Sequence, residues 1–480
     1  MTNPGFWGVV STARHPHAAD APPEKEFRVV WNSEIEHMRL RVAATRPGWA
    51  ISWHELEKRR GEPSALVFGS PFIASDPDYG ETTRIDRINQ GEAPDVVAGL
   101  YRQRGTAAFA LLDGNFSLVL SDPGAGAIFL VADKFGCNDV YYREIGGSLL
   151  FSSDCGSLLE ADMAWDPVAV SFFLGQLGFI PGRHTLSTSV KSVGRARFLR
   201  VGQNGDGLRV ESASYWRANA TWDIPSAEAA SAKFLPLLGS ATGVRTAKNS
   251  TLLLSGGTDS SLLLHVEKLL NGADLLTMTG AVKGWGDGEE DISKAASLAA
   301  ALKVEHTSVV IEPADELIPE EWAQCCSSWM TGTRVTLPLF VRVGEYLRDR
   351  FGEGYTVLSG QIADTLSDNN YTWPSHGYTL RRTLFSSWFL SVLPSLRLVA
   401  PRKDRFVGRK LISLAGSVRG PRFAGMLESV FDGIADTGRF YDGRLFGHGE
   451  MPGRSAAYFP AQTKSGFEAV SNWYSKNFVT

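Results

Sequence analysis

The stretch at residues 251–264, which reads TLLLSGGTDSSLLL, constrains the fold of this chain more than any other feature. Three leucines after Thr251 form an apolar run typical of a buried strand, and the helical spacing of apolar residues resumes at Leu263. The polar residues between them predict a tight loop. Gly256 and Gly257 lack Cβ atoms, so backbone N–H groups can close on an anion, and the N-terminus of the following helix adds partial positive charge. The sequence therefore predicts a phosphate-binding loop.

This loop differs from the phosphate loop GxxxxGK[ST], because hydroxyls and a carboxylate take the place of the lysine. Asp259 would be repelled by a polyphosphate unless Mg²⁺ bridged them, so the loop predicts a magnesium nucleotide. A plain polar turn is the alternative. The motif resembles the pyrophosphate-binding loop of the N-type ATP pyrophosphatases, which cleave ATP between its α- and β-phosphates to adenylate a substrate. The resemblance implies that ATP is bound by Ser255, Gly256, Gly257, Asp259, Ser260 and Ser261.

The bulk properties of the chain exclude several classes of protein. Its 480 residues exceed one ordinary core and predict two domains. The formal net charge of −4 provides no basic field for a nucleic acid partner. The four cysteines form no disulfide framework, no apolar run is long enough to span a membrane, and the chain begins without a signal-peptide pattern. We therefore expect a cytoplasmic protein with no membrane partner.

The N-terminal part of the chain is predicted to be rich in strands, among them residues 5–10, 107–120 and 128–132. The segments that resemble a known family are LDGNFS, ADKFG, YY and FSSD, which begin at residues 112, 132, 141 and 151. In this order and spacing they resemble the amidotransferase half of asparagine synthetase-like enzymes. The resemblance implies an α/β fold with two domains: a degenerate Ntn-hydrolase-like αββα sandwich over residues 1–215 and a synthetase domain over residues 216–480.

The beginning of the chain departs from that family. Glutaminases of this type use an N-terminal cysteine whose free α-amine activates the thiol. Alignment of residues 5–8 with the opening strand of the family places Pro4 at that position, and proline carries no nucleophile. Thr2 would be exposed if Met1 were removed, but it lies upstream of the expected position. The Asn-Gly motif that holds glutamine is also missing from residues 20–100, so we expect no glutamine hydrolysis.

The second half is predicted to alternate strand, helix and strand at residues 273–282, 290–302 and 305–311, which indicates a parallel sheet with helices on both sides. The resemblance implies that this half is an ATP pyrophosphatase domain with added helices. Ligands of such sheets bind at the carboxyl ends of the strands. By resemblance, Leu253 and Thr279 line the adenine pocket. The acidic residues at 289–291 are candidates for the metal, although acids also favour any helix N-terminus.

A second motif, VLSGQIAD at residues 357–364, resembles the Ser-Gly-x-Gly-x-Asp segment of the family. The resemblance implies that Ser359 and Gly360 contact AMP. It also implies that Asp364 shares the metal with Asp259, and two carboxylates from separate strand ends suit a bridging Mg²⁺. A helix cap is the alternative role for Asp364.

The acceptor pocket is expected to differ from those of the relatives. Gln361 stands where asparagine synthetases have a glutamate and β-lactam synthetases a tyrosine that works with a downstream glutamate. Glutamine neither gains nor loses a proton near neutrality. No glutamate occurs between Glu353 and Glu428, so the tyrosine and glutamate pair cannot be assembled from this region.

Two features near the C-terminus complete the pattern. The motif KSGF at residues 464–467 resembles the Lys-x-Gly-Phe element of the family, which implies that Lys464 reaches the α-phosphate and is catalytic. On spacing alone, a solvated lysine is the alternative.

Residues 381–422 carry ten lysines and arginines against one acid, Asp404. An acidic peptide or a phosphorylated carrier is a candidate partner for this stretch, and the charged outer faces of helices are the commoner explanation.

These motifs predict an ATP-dependent carbon–nitrogen ligase that uses ATP and Mg²⁺, adenylates the carboxylate of a small molecule or peptide, releases pyrophosphate and joins the acyl group to an amine. Because the ammonia source is lost, the chain is nearest in character to the β-lactam synthetases and lasso-peptide cyclases of the family. Closure of a lactam or macrolactam within one substrate, as in antibiotic biosynthesis, is therefore our first expectation. Intermolecular ligation of a free amine or ammonia, and a nucleotide-binding scaffold without turnover, are the alternatives.

Overall fold

A computed structural model of the chain describes residues 6–12, 28–35, 38–44, 61–73, 86–87, 92–136, 138–159, 163–172, 183–216, 226–246, 250–272, 274–284, 288–312, 337–351 and 356–360, with residues 413, 417 and 421. Within these ranges the chain forms two antiparallel sheets, followed by a parallel sheet. None of the described helices combines the length and apolar composition needed to cross a bilayer.

The first sheet consists of β1 (Phe6–Thr12), β2 (Arg28–Ile35), β3 (Met38–Ala44), β8 (Tyr141–Ile145), β9 (Ser148–Ser152) and β10 (Lys191–Ser192). Their order across the sheet is β10-β8-β9-β1-β3-β2. Strand β1 is buried along its whole length because both faces of the sheet are covered. Phe6 and Val10 belong to the core between the sheets, whereas Trp7 and Val9 pack in an outer cluster with Leu158. A 3₁₀ turn (Gly156–Leu158) and the short helix α2 (Pro167–Phe172) follow β9 in the chain.

The second sheet has the order β12-β11-β7-β6-β4-β5. Its strands are β4 (Ser64–Ile73), β5 (Asp86–Arg87), β6 (Leu112–Asp122), β7 (Ala127–Ala132), β11 (Arg197–Asn204) and β12 (Gly207–Ser214). Helix α1 (Ala93–Arg104) and a 3₁₀ helix (Gly105–Leu111) pack on its outer face. The predicted strand at residues 107–120 is therefore wrong over its first part. Phe109 packs against Phe129 and Phe198 there, and the 3₁₀ helix delivers its ring to that cluster.

The two antiparallel sheets pack face to face. The rings of Phe6 and Phe68, one from each sheet, stack with centroids 4.2 Å apart, and the shared core includes Leu40, Val119 and Leu130. Burial of this much apolar surface on both inner faces is the main source of stability of such a sandwich. The predicted sandwich of two sheets is confirmed.

The third sheet is parallel and has the order β15-β14-β13-β16. Its strands are β13 (Ser250–Leu253), β14 (Leu276–Val282), β15 (Glu305–Ile311) and β16 (Thr356–Ser359). The helices among the described residues of this half are α3 (Ala227–Gly243), α4 (Thr258–His265), which continues as a π-helix (Val266–Leu270), α5 (Gly288–Ala301) and α6 (Leu337–Phe351). The predicted parallel sheet is confirmed. The predicted border at residue 215 stays a prediction, because residues 217–225 lie outside the described ranges.

Helices cover both faces of the third sheet. Leu252 packs on one face with Leu264 of α4 and Ala295 of α5. Leu252, Thr277 and His306 are in register and share this face, so the neighbouring Glu305 points to the other face, where it forms an ion pair with Arg350 of α6. The chain therefore runs outward from β13 through α4 and α5, then crosses the sheet through α6 to reach β16. Strand order reverses between β13 and β16, and this is the point where an open α/β sheet forms its ligand crevice.

Candidate functional site

The SGGTDSS loop lies at the carboxyl end of β13, the strand beside the reversal of strand order. β13 is held between β14 and β16, and Thr251 and Leu252 are fully buried. The strand therefore delivers the loop to a fixed position at the edge of the sheet. Ser255 and Gly257 are exposed there, whereas Ser260 is buried on the first turn of α4.

Gly256 lets the loop approach α5 more closely than any other residue could. Its φ of +74° lies in the left-handed region that favours glycine. An ideal Cβ on Gly256 would stand 2.5 Å from the Cβ of Lys294 and 3.1 Å from the backbone nitrogen of Ala295. Neither conformation nor space tolerates a side chain, so the loop rests directly on the backbone of α5.

Two serine hydroxyls stabilise the loop from inside. The hydroxyl of Ser260 accepts from the backbone N–H of Ser255 at 3.2 Å and donates to the carbonyl of Gly257 at 3.2 Å. The hydroxyl of Ser255 lies 3.2 Å from that of Ser260 and accepts from the N–H of Gly257 at 3.3 Å. Ser260 therefore organises the loop, and the exposed Ser255 remains close to any ligand above it.

The N-terminus of α4 has an open end with partial positive charge. Gly257 is its N-cap and provides no side-chain cap, so the first N–H groups of the helix are not closed off by a side chain of that residue. Thr258 and Asp259 form its first turn, and Asp259 is half-buried. The dipole of α4 adds partial positive charge at this end, and the carboxylate beside it is an oxygen ligand of the kind that Mg²⁺ prefers.

The second motif meets the first at this edge. Ser359 ends β16 in register with Leu253 of β13. An ideal Cβ on Gly360 would stand 2.8 Å from the backbone nitrogen of Ser260 and 3.0 Å from the carbonyl carbon of Asp259. The structure thus brings Ser359 and Gly360 against the SGGTDSS loop, at the carboxyl ends of two neighbouring parallel strands.

The two residues assigned by resemblance to an adenine pocket lie on different faces of the sheet. Leu253 is in register with Met278, so Thr279, the next residue of β14, points to the opposite face. Thr279 is buried, and its hydroxyl donates to the carbonyl of Leu254 at 2.5 Å. This bond joins the residue after β13 to the middle of β14. Leu253, the last residue of β13, is half-buried.

Lys294 is a neighbour of the loop that the sequence did not single out. The pattern of Glu290 and Lys294 indicates only an ion pair on a helix surface. In the structure Nζ of Lys294 lies 2.5 Å from Oε1 of Glu290, and this hydrogen bond and the positive charge lower the pKa of Glu290. The contact with Gly256 depends on how α5 packs, so no local signal in the sequence reveals it.

Several predicted residues lie outside the described ranges. They are Thr2, Pro4, Gln361, Asp364 and Lys464. Of the basic stretch at residues 381–422, the structure describes only Ser413, Ser417 and Pro421, which are helical and exposed. Within the described ranges no three His, Cys, Asp or Glu side chains cluster as a metal site would require.

Two of the family-like segments of the N-terminal half, LDGNFS and ADKFG, meet at one buried lysine. Nζ of Lys134 lies 3.6 Å from Oδ2 of Asp113 and 5.5 Å from the ring centroid of Trp216. Burial lowers the pKa of Lys134, and the charge of Asp113 opposes that effect. The hydroxyl of Tyr215 donates to the carbonyl of Ala132 at 2.7 Å. These contacts fasten the last described residues of this half to the second sheet.

Comparison with known proteins finds two family models along the chain. A glutamine amidotransferase domain matches residues 88–216, and an asparagine synthase domain matches residues 237–433. The glutamine-hydrolysing asparagine synthetase 1 of Bacillus subtilis is 26% identical over 230 residues, which are 47% of this chain and 35% of that protein. The amidase chyE of Penicillium rubens is 26% identical over 105 residues, which are 19% of this chain and 16% of that protein. The chain thus spans about a third of the first relative's length.

Among solved structures, the NMN synthetase of Francisella tularensis is similar over 42% of this chain and 93% of that chain, with 15% identity and a TM-score of 0.21.

Proposed function

Because the chain belongs to the asparagine synthetase-like family, we propose that it is an ATP-dependent ligase that activates a carboxylate as an acyl-adenylate and joins it to an amine. The observation that carries this proposal is the close contact between Gly360 and the start of α4. The two motifs that resemble ATP-site motifs of the family therefore lie side by side at the reversal of strand order, and an open α/β sheet typically binds its ligand at such a point.

The loop residues fit a magnesium triphosphate. Gly257 is exposed at the N-terminus of α4 and provides no side-chain cap, so phosphate oxygens can approach the N–H groups of the first turn. Mg²⁺ would be held by Asp259 and, we propose, by Asp364. When bound, the ion would neutralise the phosphates and polarise the bond to the leaving pyrophosphate.

The reaction we propose has two steps. A carboxylate oxygen of the substrate attacks the α-phosphorus, the bond from this phosphorus to the bridging oxygen breaks, and pyrophosphate leaves with the electron pair. An amine then attacks the acyl carbon, AMP leaves, and the amine gives up a proton. In this scheme the loop from Ser255 to Ser261 holds the leaving pyrophosphate, Ser359 and Gly360 position the adenylate, and the ammonium of Lys464 offsets charge that develops at the α-phosphate.

We propose that the amine belongs to the substrate itself and that the product is a lactam or macrolactam. Pro4 at the expected position of the glutaminase nucleophile supports this choice, because the chain then has no ammonia source of its own. Ligation of a separate amine or ammonia is the second candidate. A partner with acidic or phosphorylated groups remains our proposal for the basic stretch at residues 381–422.

Binding of Mg-ATP, measured by isothermal titration calorimetry, tests the central claim without any knowledge of the substrate. We expect wild-type protein to bind Mg-ATP and Asp259→Asn to bind it at least about tenfold more weakly, which corresponds to about 1.4 kcal/mol. Asp274→Asn is a matched control, because Asp274 is exposed and precedes β14 at the opposite edge of the sheet. Wild-type protein that binds no Mg-ATP, or equal affinity in both variants, would contradict the proposal.

Two further measurements address the amine. Incubation with glutamine should release no glutamate. Pyrophosphate release from ATP with free amino acids and ammonium chloride should stay at background if the amine lies within the substrate, whereas release under these conditions would favour intermolecular ligation.

A further inference from the structure

The side chain of Lys294 leaves α5 directly beside the phosphate-binding loop. An ideal Cβ on Gly256 would lie 2.5 Å from the Cβ of Lys294 and 3.2 Å from its carbonyl carbon. A lysine ammonium lies several bonds beyond Cβ on a flexible stem. From this position the ammonium of Lys294 can reach the backbone N–H groups of the SGGTDSS loop, where a phosphate would bind.

The SGGTDSS loop contains no positively charged side chain that could balance a bound pyrophosphate. Residues 255–261 contain no lysine or arginine and include the carboxylate of Asp259. The first turn of α5 adds Glu289, Glu290 and Asp291. A pyrophosphate group held here would lie near these acidic residues, so a cation close to the loop would favour its binding in addition to Mg²⁺ and the partial charge of the helix.

Resting on the proposed function, we propose that Lys294 is a phosphate-binding residue that exchanges its ion pair with Glu290 for the β- and γ-phosphates of bound ATP. The exchange is favourable because the existing pair is weak. Side chains of Lys294 and Glu290 are 54% and 62% exposed, and an exposed pair at this helical spacing contributes little. A phosphate group carries more charge and more acceptor oxygens than one carboxylate.

Calorimetric titration with Mg-ATP, Mg-pyrophosphate and AMP tests this assignment. We expect Lys294→Met to weaken the binding of Mg-ATP and Mg-pyrophosphate about tenfold and to leave AMP binding unchanged, because AMP lacks the β- and γ-phosphates. Lys294→Arg keeps the charge and should bind all three ligands nearly as wild type does. Lys303→Met is the matched control, since Lys303 is exposed and follows the opposite end of the same helix.

Glu290→Gln separates phosphate binding from a role in holding the helix. If Lys294 serves the phosphates, removal of its competitor should leave pyrophosphate binding equal or tighter. If Glu290→Gln weakens pyrophosphate binding as much as Lys294→Met does, the intact ion pair supports the loop and the assignment of Lys294 is wrong. If Lys294→Met and Lys303→Met bind Mg-ATP with equal affinity, the assignment of Lys294 is also wrong. In that case, binding of Mg-ATP by the wild-type protein still supports the proposed function. Wild-type protein that binds neither Mg-ATP nor Mg-pyrophosphate would overturn both.

Discussion

Gly360 lies so close to Ser260 that an ideal Cβ on Gly360 would stand 2.8 Å from the backbone nitrogen of Ser260. The atoms it would meet belong to the first turn of α4, and they cannot rotate away as the tip of a flexible side chain can. The contact therefore joins the end of β16 to the loop after β13 across the reversal of strand order. Any residue larger than glycine would push these two elements apart.

Substitution Gly360→Ala should consequently damage both the site and the fold. We expect Mg-ATP to bind at least about tenfold more weakly, and the free energy of unfolding to fall by about 1–3 kcal/mol, which is typical of overpacking. Calorimetry and urea denaturation measure the two effects. Gly99→Ala is the control, because the nearest atom to its added Cβ, Nη2 of Arg102, is 4.0 Å away on α1. Unchanged Mg-ATP binding in Gly360→Ala would show that the contact is not needed.

A second pair of glycines separates the cost of backbone conformation from the cost of packing. Gly256 and Gly272 have similar positive φ values, +74° and +62°. Alanine at Gly272 would meet nothing within 4 Å, whereas alanine at Gly256 would collide with Lys294. We expect Gly272→Ala to lower the free energy of unfolding by about 1–2 kcal/mol through conformation alone. Gly256→Ala should cost about 1–3 kcal/mol more through overpacking. Urea denaturation of both variants measures the difference, and equal losses would contradict the packing argument.

The sequence predicted those parts of the site that depend on local signals. An apolar run followed by glycines and hydroxyls indicates a strand, a loop and a helix wherever it occurs. β13, α4 and β15 accordingly lie where the pattern places them. The meeting of the two motifs also followed from a general property, since the carboxyl ends of parallel strands share one edge of a sheet.

Contacts between distant segments could not be predicted in the same way. The contact of Gly256 with Lys294 depends on how α5 packs against the loop, and no pattern within the loop predicts that packing. Phe109 shows the same limit in the other half. The residues around Phe109 are apolar enough to form a buried strand. In the structure they form a 3₁₀ helix, which packs the ring of Phe109 into the cluster with Phe129. Tertiary packing overrides local preference at such positions.

Thr279→Val tests whether the bond between β13 and β14 stabilises the edge of the sheet. Valine has nearly the shape of threonine but leaves the carbonyl of Leu254 without this donor in a buried place. We expect the free energy of unfolding to fall by about 1–3 kcal/mol, as for other buried groups that lose a partner. Ser297→Ala is the control, because that hydroxyl is exposed on α5 and donates to the carbonyl of Ser293. Equal urea midpoints for Thr279→Val and wild type would refute the prediction.

His306 should make the stability of the third sheet depend on pH. Nδ1 of His306 lies 3.0 Å from the hydroxyl oxygen of Thr277, which donates in turn to the carbonyl of Glu305. Nδ1 therefore carries the proton of the neutral ring. Nε2 is buried and has no hydrogen-bond partner within the described part of the chain. A second proton would introduce charge there without an acceptor, and burial accordingly lowers the pKa of His306 from its usual 6.5.

The direction of the effect follows from this lowered pKa. Well above pH 6.5 both the folded and the unfolded chain hold His306 neutral, so it contributes nothing to the pH dependence there. As the pH falls below that value, the unfolded chain takes up a proton that the folded chain resists, and the free energy of unfolding falls. His306→Asn keeps a donor for Thr277 and does not titrate. Because the ring is partly exposed, we expect wild type to lose only some tenths of a kcal/mol more than His306→Asn between about pH 7.5 and pH 5.5. Urea denaturation at both pH values measures this difference, and parallel losses in the two proteins would exclude His306 as the titrating group.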